Sequence, residues 1–288
     1  FLQSCEDVEK HTETIGYLAN LDNLIKKNPL IGKSVIKELE DQRNSLKMIA
    51  SENYSSLGVQ LAMGNLLTDK YAEGHPHHRF YAGCDNVDAV EEEAVNLAKK
   101  LFSADHAFVQ PHSGTDANLI AFWGILIKRI EKPAIAELGK RTVNQLTDEE
   151  YETLRQNFSR QKMLGMKLES GGHLTHGSRV NLSSKMLQAI TYGLDPKTDL
   201  IDYKAIEELA IREKPAILLA GYSAYPRLID FSILKEIADK VGATFVVDMA
   251  HFAGLVAGGA FTGNHNPIPF ADVVTSTTHK TLRGPRGG

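Results

Sequence analysis

The sequence predicts an α/β protein with a mainly parallel central sheet, flanked by helices and preceded by an N-terminal helical arm. From residue 105 onward, short apolar runs such as "AILLAG" and "TFVVD" alternate with helical patterns, which is typical of strand–helix–strand units. The stretch "DFSILKEIADKVG" places Phe231, Leu234 and Ile237 on one helical face and ends in Gly242. At 288 residues, 42% of them hydrophobic, the chain is long enough to bury a sizeable core.

The N-terminal part reads as helical. Residues 1 to about 28 are polar with scattered apolar positions, and we expect a short helical arm there. After Pro29 the pattern predicts a helix through Leu46 and Ile49, ending at Ser51 to Asn53. The stretch "VDAVEEEAVNLAKKLF" predicts another helix, with Val90, Ala94, Leu97 and Leu101 on one face.

Further along, "HAFVQ" predicts a strand, "PHSGTDAN" a turn that enters a helix, and "DVVTS" a late strand. Residues 128 to 165 are charged and helical in pattern, with no strand, and we interpret them as a helical insertion. The predicted organisation is a helical arm over residues 1–55 and one large domain over residues 56–288.

Composition excludes some classes of protein. A net charge of -4 argues against a nucleic-acid-binding surface, and no apolar run reaches the roughly 18 to 20 residues that a bilayer span needs. The opening residues lack the layout of a signal peptide, and Cys5 and Cys84 are far apart, without a metal-like spacing. We therefore expect a cytoplasmic protein without disulfides or a membrane partner.

The turn "PHSGTDAN" is the first candidate site. Backbone N–H groups of Ser113, Gly114 and Thr115 would point outward at a helix N-terminus, where a phosphate binds well. The alternative is an ordinary helix N-cap made by Ser113 or Thr115.

The stretch "VVDMAH" is the second. Asp248 ends an apolar strand, at the edge of a parallel sheet where ligands bind, and His251 follows three residues later. A carboxylate in such surroundings needs a partner, so Asp248 would either hold a protonated ring nitrogen or cap a helix.

The stretch "STTHKTLRGPRGG" is the third. Lys280 follows the last predicted strand, and a lysine whose pKa is lowered by burial or positive charge forms Schiff bases. The alternative is a solvated surface lysine. Neighbouring His279 and the later arginines would supply polar contacts, and Gly287 and Gly288 suggest closely approaching backbone.

The stretch "ESGGHLTHG" is the fourth. Gly171 and Gly172 would allow backbone to approach a flat ligand beside His173. His173 and His176, or the histidines of "HPHHRF", raise the question of zinc, but no third ligand at suitable spacing accompanies either group. We therefore predict no metal site.

The four candidate sites together suggest one cofactor. Along the chain they supply a phosphate cradle, a ring stack, a partner for a ring nitrogen and a Schiff-base lysine, which are the groups that pyridoxal 5′-phosphate requires.

These stretches also carry a resemblance to a known family. The sequence resembles the serine hydroxymethyltransferases, fold-type-I pyridoxal phosphate enzymes, from about residue 36 to the last residue. The matching stretches are "MIASEN", "DKYAEG", "RFYAGC", "PHSGTDAN", "GGHLTHGS", "GYSAYPR", "VVDMAH" and "TTHKTLRGPRGG". The resemblance implies a pyridoxal-phosphate transferase large domain in a homodimer. It also implies conversion of serine to glycine, with tetrahydrofolate accepting the hydroxymethyl carbon to give 5,10-methylenetetrahydrofolate.

The resemblance also implies roles for individual residues. Lys280 would bind the cofactor covalently, with His279 beside it; Asp248 would hold the ring nitrogen, His173 would stack on the ring, and Ser223 and His251 would lie near its phenolic oxygen. Ser113, Gly114 and Thr115 would hold the phosphate, which Tyr71, Gly287 and Gly288 of a neighbouring subunit would also reach. Ser51 would contact the amino acid, Glu73 would transfer protons, Tyr81 would line the pocket, and Phe80, Leu168, Gly171, Gly172 and Leu174 would face the folate.

Some features depart from the family pattern. Phe80 stands where the family usually has tyrosine, and Ser170 replaces a common histidine. The family continues beyond the position of Gly288 with a small domain that carries the substrate-carboxylate arginine, and no residue here matches it. Two alternatives stay open: a folate-independent threonine-type aldolase of the same fold, and a non-catalytic chain that retains the cofactor pocket.

Overall fold

The computed structural model describes residues 12–288, which form two compact units. One unit extends to Glu93 and includes Arg283–Pro285, and the other comprises Ala94–Leu282 with Arg286–Gly288. This boundary at Glu93 differs from the predicted boundary at residue 55. A compact unit is not by itself a domain, so the predicted domain division stays a prediction. The first eleven residues of the predicted arm lie outside the described part of the chain. Between residues 12 and 288, no helix is both long and apolar enough to cross a bilayer.

The described part of the first unit begins with two helices, α1 (Thr12–Lys27) and α2 (Pro29–Asn44). Asn28 caps α2 by accepting a hydrogen bond from the backbone N–H of Ile31, and Pro29 suits the first helical turn because its missing N–H is not needed there. The prediction that this helix extends to Ser51 is wrong: α2 ends at Asn44. Apolar spacing alone therefore overestimated its length by two turns.

The rest of the first unit is short elements. They are α3 (Leu57–Ala62), a 3₁₀ turn (Leu66–Asp69), and a hairpin of β1 (Gly74–His75) and β2 (His78–Arg79). Helix α4 (Asp85–Phe102) follows, as predicted, and passes from the first unit into the second. The predicted apolar face of α4 exists, but Val90, Leu97 and Leu101 are each at least half exposed in this chain.

The Arg79 guanidinium, which is almost fully buried, fixes the hairpin. It donates to the backbone carbonyls of Ala72 at 2.7 Å and Gly74 at 2.9 Å, on either side of Glu73. It also forms ion pairs with Asp88 at 2.8 Å and Glu91 at 2.6 Å on α4. The backbone N–H of His77 and the charge of Arg79 lower the pKa of Asp88, so this carboxylate is ionised at neutral pH.

We expect Arg79→Ala to loosen this hairpin, because two carboxylates and two carbonyls lose their common donor. The melting temperature should fall, and the backbone amide of Phe80, which donates to the Glu73 carbonyl, should exchange hydrogen faster. The control is Arg155→Ala, which removes an exposed arginine paired with the exposed Glu152. Equal effects of the two substitutions would contradict this role for Arg79.

The second unit contains a five-stranded parallel sheet with the strand order β4-β3-β5-β6-β7. Its strands are β3 (Lys162–Met166), β4 (Gln188–Tyr192), β5 (Ile217–Gly221), β6 (Thr244–Asp248) and β7 (Val273–Thr275). The predicted fold class is therefore confirmed, together with the strands in "AILLAG", "TFVVD" and "DVVTS". The predicted strand "HAFVQ" is wrong, since residues 106–110 form no strand.

Helices pack on the sheet. They are α5 (Gly114–Leu126), continued by a π-helical turn (Ile127–Glu131) and α6 (Lys132–Glu137), then α7 (Asp148–Ser159), α8 (Ser183–Met186), α9 (Tyr203–Glu213), α10 (Phe231–Val241) and α11 (Ala253–Ala257). Short 3₁₀ turns lie at Val143–Gln145, Leu168–Ser170, Leu174–His176 and Gly263–His265. Asp230 caps α10. Gly242 ends this helix in the left-handed conformation, and the end at Gly242 agrees with the sequence prediction.

The segment 128–165 is not a strandless excursion, because it ends in the buried strand β3. It is also part of the core. Leu154 and Phe158 of α7 pack with Phe122 of α5 and Met163 of β3 in one apolar cluster, and all four are buried. The helical part of this segment therefore covers one face of the sheet.

Candidate active site

Asp248, at the carboxyl end of β6, is the centre of a buried polar cluster. Its Oδ2 accepts hydrogen bonds from Asn118 Nδ2 at 2.8 Å and His176 Nε2 at 3.2 Å, and its Oδ1 accepts one from the backbone N–H of Ala250 at 3.0 Å. Burial alone would raise the pKa of Asp248, but these donors outweigh it and lower the pKa well below its ordinary value. Asp248 is therefore a carboxylate, available to a cationic or N–H group.

The end of strand β5 approaches Asp248 closely. Gly221 pairs with Asp248 and has φ 109°, and a Cβ on Gly221 would lie 2.0 Å from the Asp248 backbone oxygen. Only glycine fits both this conformation and this contact. The tight junction holds the ends of β5 and β6 together at the edge where Asp248 is presented.

A second set of hydrogen bonds connects the same cluster to His173. Asn118, which is fully buried, also donates to Thr175 Oγ1 at 2.9 Å, and its Oδ1 accepts from Thr275 Oγ1 at 2.6 Å. The Thr175 Oγ1 in turn lies 2.8 Å from His173 Nδ1. The backbone N–H of Thr175 donates to the same nitrogen. Burial is the main cause that lowers the pKa of His173; the neighbouring His176 and Lys280 act in the same direction, and Asp248 opposes them.

Lys280 and His251 form a pair in the same site, with 3.2 Å between Lys280 Nζ and His251 Nε2. Burial lowers the pKa of Lys280, and Asp248 partly opposes this shift. Burial and the charge of Lys280 lower the pKa of His251 to about 4. His251 is therefore neutral at physiological pH and can accept a hydrogen bond from Lys280, whose amine is more readily deprotonated than that of an exposed lysine.

The lowered pKa of His251 predicts a loss of folding stability in acid. The ordinary histidine pKa is 6.5 and the value in the folded chain is about 4, so between these pH values the unfolded chain binds more protons. The free energy of unfolding should fall as the pH drops from about 6.5 to about 4. Comparing urea titrations of the wild type and His251→Gln should show a shallower fall in the variant, and identical slopes would contradict the prediction.

The predicted phosphate turn forms the start of α5. Ser113 is the N-cap of this helix, because its Oγ accepts a hydrogen bond from the backbone N–H of Asp116 at 3.1 Å. This agrees with the interpretation of the turn as a helix cap. This leaves Gly114 and Thr115 in the first turn with backbone N–H groups that the helix does not use. A Cβ on Gly114 would lie 2.6 Å from Thr277 Cγ2, so the turn packs tightly against the segment that precedes Lys280. Capping and anion binding are compatible here.

Gly287 and Gly288 lie beside this turn in the same chain, with Gly288 packed against the Ser113 carbonyl. The Gly288 N–H donates to the Pro111 carbonyl at 2.9 Å, and the Gly287 N–H donates to His279 Nδ1 at 3.4 Å. Within this chain both N–H groups are therefore donors, and the glycines and His279 shape the loop that backs the turn. The approach of Gly287 and Gly288 to a phosphate in a neighbouring subunit stays a prediction.

The predicted approach of Gly171 and Gly172 to a flat ligand needs correction. A Cβ on Gly171, which has φ 102°, would lie 2.6 Å from the Tyr225 backbone nitrogen, and one on Gly172 would lie 2.2 Å from the Met166 carbonyl oxygen. Both glycines therefore approach the chain's own backbone. The Gly171 carbonyl accepts from the Ser223 N–H at 2.7 Å, which places Ser223 next to this turn. Leu168 and Leu174, which flank the glycines, are 47% and 41% exposed.

The remaining predicted residues, Ser51, Tyr71, Glu73, Phe80 and Tyr81, lie in the first unit. Within it, Glu73 is fixed by the Arg79 hairpin, and the rings of Tyr71 and Tyr81 meet edge to face with centroids 6.4 Å apart. Their approach to Lys280 stays a prediction.

The fold supplies a third possible metal ligand that the sequence did not indicate, because ligand atoms of His173, His176 and Asp248 lie within 4.8 Å of one another. However, these atoms already satisfy each other and their neighbours. His176 Nε2 bonds to Asp248, and His173 Nδ1 bonds to Thr175. The hydrogen-bonded arrangement accounts for the cluster without an ion.

Sequence reasoning missed most of the groups that support Asp248. Asn118, Thr175 and Thr275 were not singled out, and His176 was considered only as a metal ligand. Asn118 lies within the stretch "PHSGTDAN", but only its burial and its contacts distinguish it from an ordinary helical asparagine.

Comparison with known proteins gives a consistent result. The family model described as serine hydroxymethyltransferase matches residues 24–138 and 143–288. A protein of Treponema pallidum (strain Nichols) named serine hydroxymethyltransferase is 58% identical over 277 residues, which cover 96% of this chain and 48% of that protein. A Chlamydia felis protein of the same name is 60% identical over 273 residues, which cover 94% of this chain and 55% of that protein. This chain thus spans about half the length of the curated relatives it matches.

Proposed function

This chain belongs to the serine hydroxymethyltransferase family, and we propose that the protein it forms part of converts serine to glycine and transfers the hydroxymethyl carbon to tetrahydrofolate. The observation that carries the proposal is the cluster of Lys280, His251, Asp248 and His173 at the carboxyl edge of the parallel sheet. A nucleophilic amine, a neutral imidazole and a buried carboxylate at one edge suit amino-acid chemistry that uses a carbonyl cofactor.

Pyridoxal 5′-phosphate is the cofactor that the family implies, and three features of this chain fit it. Asp248 is an ionised carboxylate that suits a protonated ring nitrogen. The first turn of α5 offers N–H groups to a phosphate. Among the described residues, the buried hydroxyls of Ser223 and Thr277 have no hydrogen-bond partner, and Thr277 packs against Gly114 of that turn. Bound here, the cofactor would supply an electron sink for the bonds at the substrate α-carbon.

Each residue then has a defined task. Lys280 would attach the cofactor through Nζ, with the neutral His251 accepting its hydrogen bond and His279 supporting the loop behind it. His173 would lie against the ring, and Ser223 would donate to a ring substituent. Ser113, Gly114 and Thr115 would hold the phosphate, together with Tyr71 from the other subunit of a homodimer.

The substrate side is proposed from the family pattern. Ser51 would bind the amino acid, Glu73 would give and take the proton of the serine hydroxyl, and Tyr81 would line that pocket. The aromatic face of Phe80 would stack on the folate, beside a wall formed by Leu168 and Leu174. The exposed Leu168 and Leu174 are compatible with contact to a second substrate. The cytoplasmic location predicted from the sequence also belongs to this proposal.

The test uses the whole protein and serine labelled with ¹³C at the hydroxymethyl carbon. We expect glycine and labelled methylenetetrahydrofolate to form only when pyridoxal 5′-phosphate and tetrahydrofolate are both present. Cleavage of β-hydroxy amino acids without any response to folate would favour the aldolase. No binding of the cofactor would overturn the proposal and favour a non-catalytic protein.

A further inference from the structure

Asn118 connects Asp248 and His173, the two residues assigned to the cofactor ring. Its amide nitrogen donates to both Asp248 Oδ2 and Thr175 Oγ1, and its oxygen accepts from Thr275. An ionised carboxylate only accepts hydrogen bonds, so the Asn118 nitrogen, and not its oxygen, must face Asp248. This fixes the direction of every other bond in the network.

The direction continues through Thr175 to His173. Because the Thr175 hydroxyl oxygen accepts from Asn118, its hydrogen is free to point at His173 Nδ1, 2.8 Å away. The backbone N–H of Thr175 points at the same nitrogen from 3.2 Å. A ring nitrogen that accepts hydrogen bonds carries no proton. His173 is therefore neutral, and its single proton is on Nε2.

We propose that Asn118 is a positioning residue that joins Asp248 and His173 into one hydrogen-bonded unit and, through Thr175, holds His173 as a neutral ring with its proton on Nε2. The inference rests on the proposed function only in assigning Asp248 and His173 to the cofactor. Its value there is electrostatic: a charged His173 would compete with a protonated ring nitrogen for Asp248.

The surroundings of His173 agree with this assignment. The charged or titratable groups that interact with it include Asp248, His176, Lys280 and His251, and its ring lies 5.8 Å from that of His176. Burial is the largest influence and lowers the pKa of His173, and the neighbouring Lys280 and His176 act in the same direction. Only Asp248 favours the charged ring, and Asn118 and His176 already bind its Oδ2.

The experiment is nuclear magnetic resonance of ¹⁵N-labelled histidine rings in the whole protein without cofactor, with the His173 signals identified by their loss in His173→Gln. We expect an unprotonated Nδ1 and a protonated Nε2 in the wild type. Thr175→Val keeps the shape and the backbone N–H but loses the hydroxyl that favours an unprotonated Nδ1. The pKa of His173 should therefore rise by about one pH unit. Thr175→Ser should restore it.

Ser183→Ala is the matched control, since the buried Ser183 hydroxyl has no hydrogen-bond partner among the described residues and lies outside the network. A protonated Nδ1 in the wild type, or equal His173 pKa values in Thr175→Val and Ser183→Ala, would overturn the inference. These readouts need no cofactor, so they stand even if the proposed function fails.

A second measurement tests the link to Asp248. Thr275→Val frees one end of the Asn118 amide without changing the volume, and Asn118→Leu removes the whole junction. We expect the dissociation constant of pyridoxal 5′-phosphate to rise about tenfold in a folded Asn118→Leu protein and less in Thr275→Val. Unchanged affinity in both variants, where the wild type binds the cofactor, would contradict the positioning role.

Discussion

Replacing Lys280 with alanine is expected to remove both the covalent attachment of pyridoxal 5′-phosphate and the production of glycine from serine. The turnover number should fall by a factor on the order of 10⁴ or more, which is typical when the covalent catalytic group of an enzyme is removed. In the same protein the melting temperature should stay unchanged or rise. The reason is that the Lys280 amine is partly buried, with a lowered pKa, so its charged form destabilises the fold.

Visible absorption and melting temperature separate a loss of chemistry from a loss of structure in this experiment. The visible absorption that develops when the wild type is mixed with the cofactor should be missing in Lys280→Ala. It should persist in Lys235→Ala, which removes a lysine that is paired with Asp239 and Asp272 away from the site. A Lys280→Ala protein that is active, or one that unfolds at a much lower temperature, would contradict the assignment.

The sequence predicted the sheet best where its strands are continuous apolar runs. Strands β5 and β6 are buried along nearly their whole length, and apart from the terminal Thr244 and Asp248 they contain only apolar residues and a glycine. Strand β3 is buried as well, but "KMLGM" contains methionine and glycine, which carry little strand preference, and it follows a charged helix. Hydrophobic pattern alone therefore placed it inside a helical segment.

The candidate site was predictable to the extent that topology brings strand ends together. Asp248, His251 and Lys280 follow two adjacent parallel strands, so their proximity follows once the sheet is recognised. The Asn118 network could not be predicted in this way. Its bonds to Thr175, Asp248 and Thr275 join residues 57, 130 and 157 positions apart, and each depends on side-chain orientation.

Gly171 and Gly172 show a different limit. A glycine pair indicates that something approaches the backbone closely, but not what approaches. A ligand was expected, and the structure places the backbone of Tyr225 and Met166 there. Tight packing of the chain on itself and close approach of a ligand leave the same signal in the sequence.

The second large effect is expected at Asp248, where Asp248→Asn should reduce both stability and activity although the two side chains have nearly the same shape. Three donors face the carboxylate: Asn118 and His176 at Oδ2 and the Ala250 N–H at Oδ1. An asparagine must direct its own NH₂ group at one of these positions, so a buried donor meets another donor. Leaving such groups unsatisfied costs about 1–3 kcal/mol in the free energy of unfolding.

The loss of activity in Asp248→Asn has a separate cause, since an amide has no charge with which to keep the cofactor ring nitrogen protonated. Urea titration without cofactor measures the first effect, and glycine formation measures the second. The control is Asp272→Asn, because Asp272 also accepts a buried-strand N–H, that of Phe245, but lies outside the site. That variant should lose stability and keep the turnover of its folded fraction. If Asp248→Asn kept full turnover, or if its activity fell only in proportion to unfolding, Asp248 would be a structural carboxylate and not the partner of a cofactor.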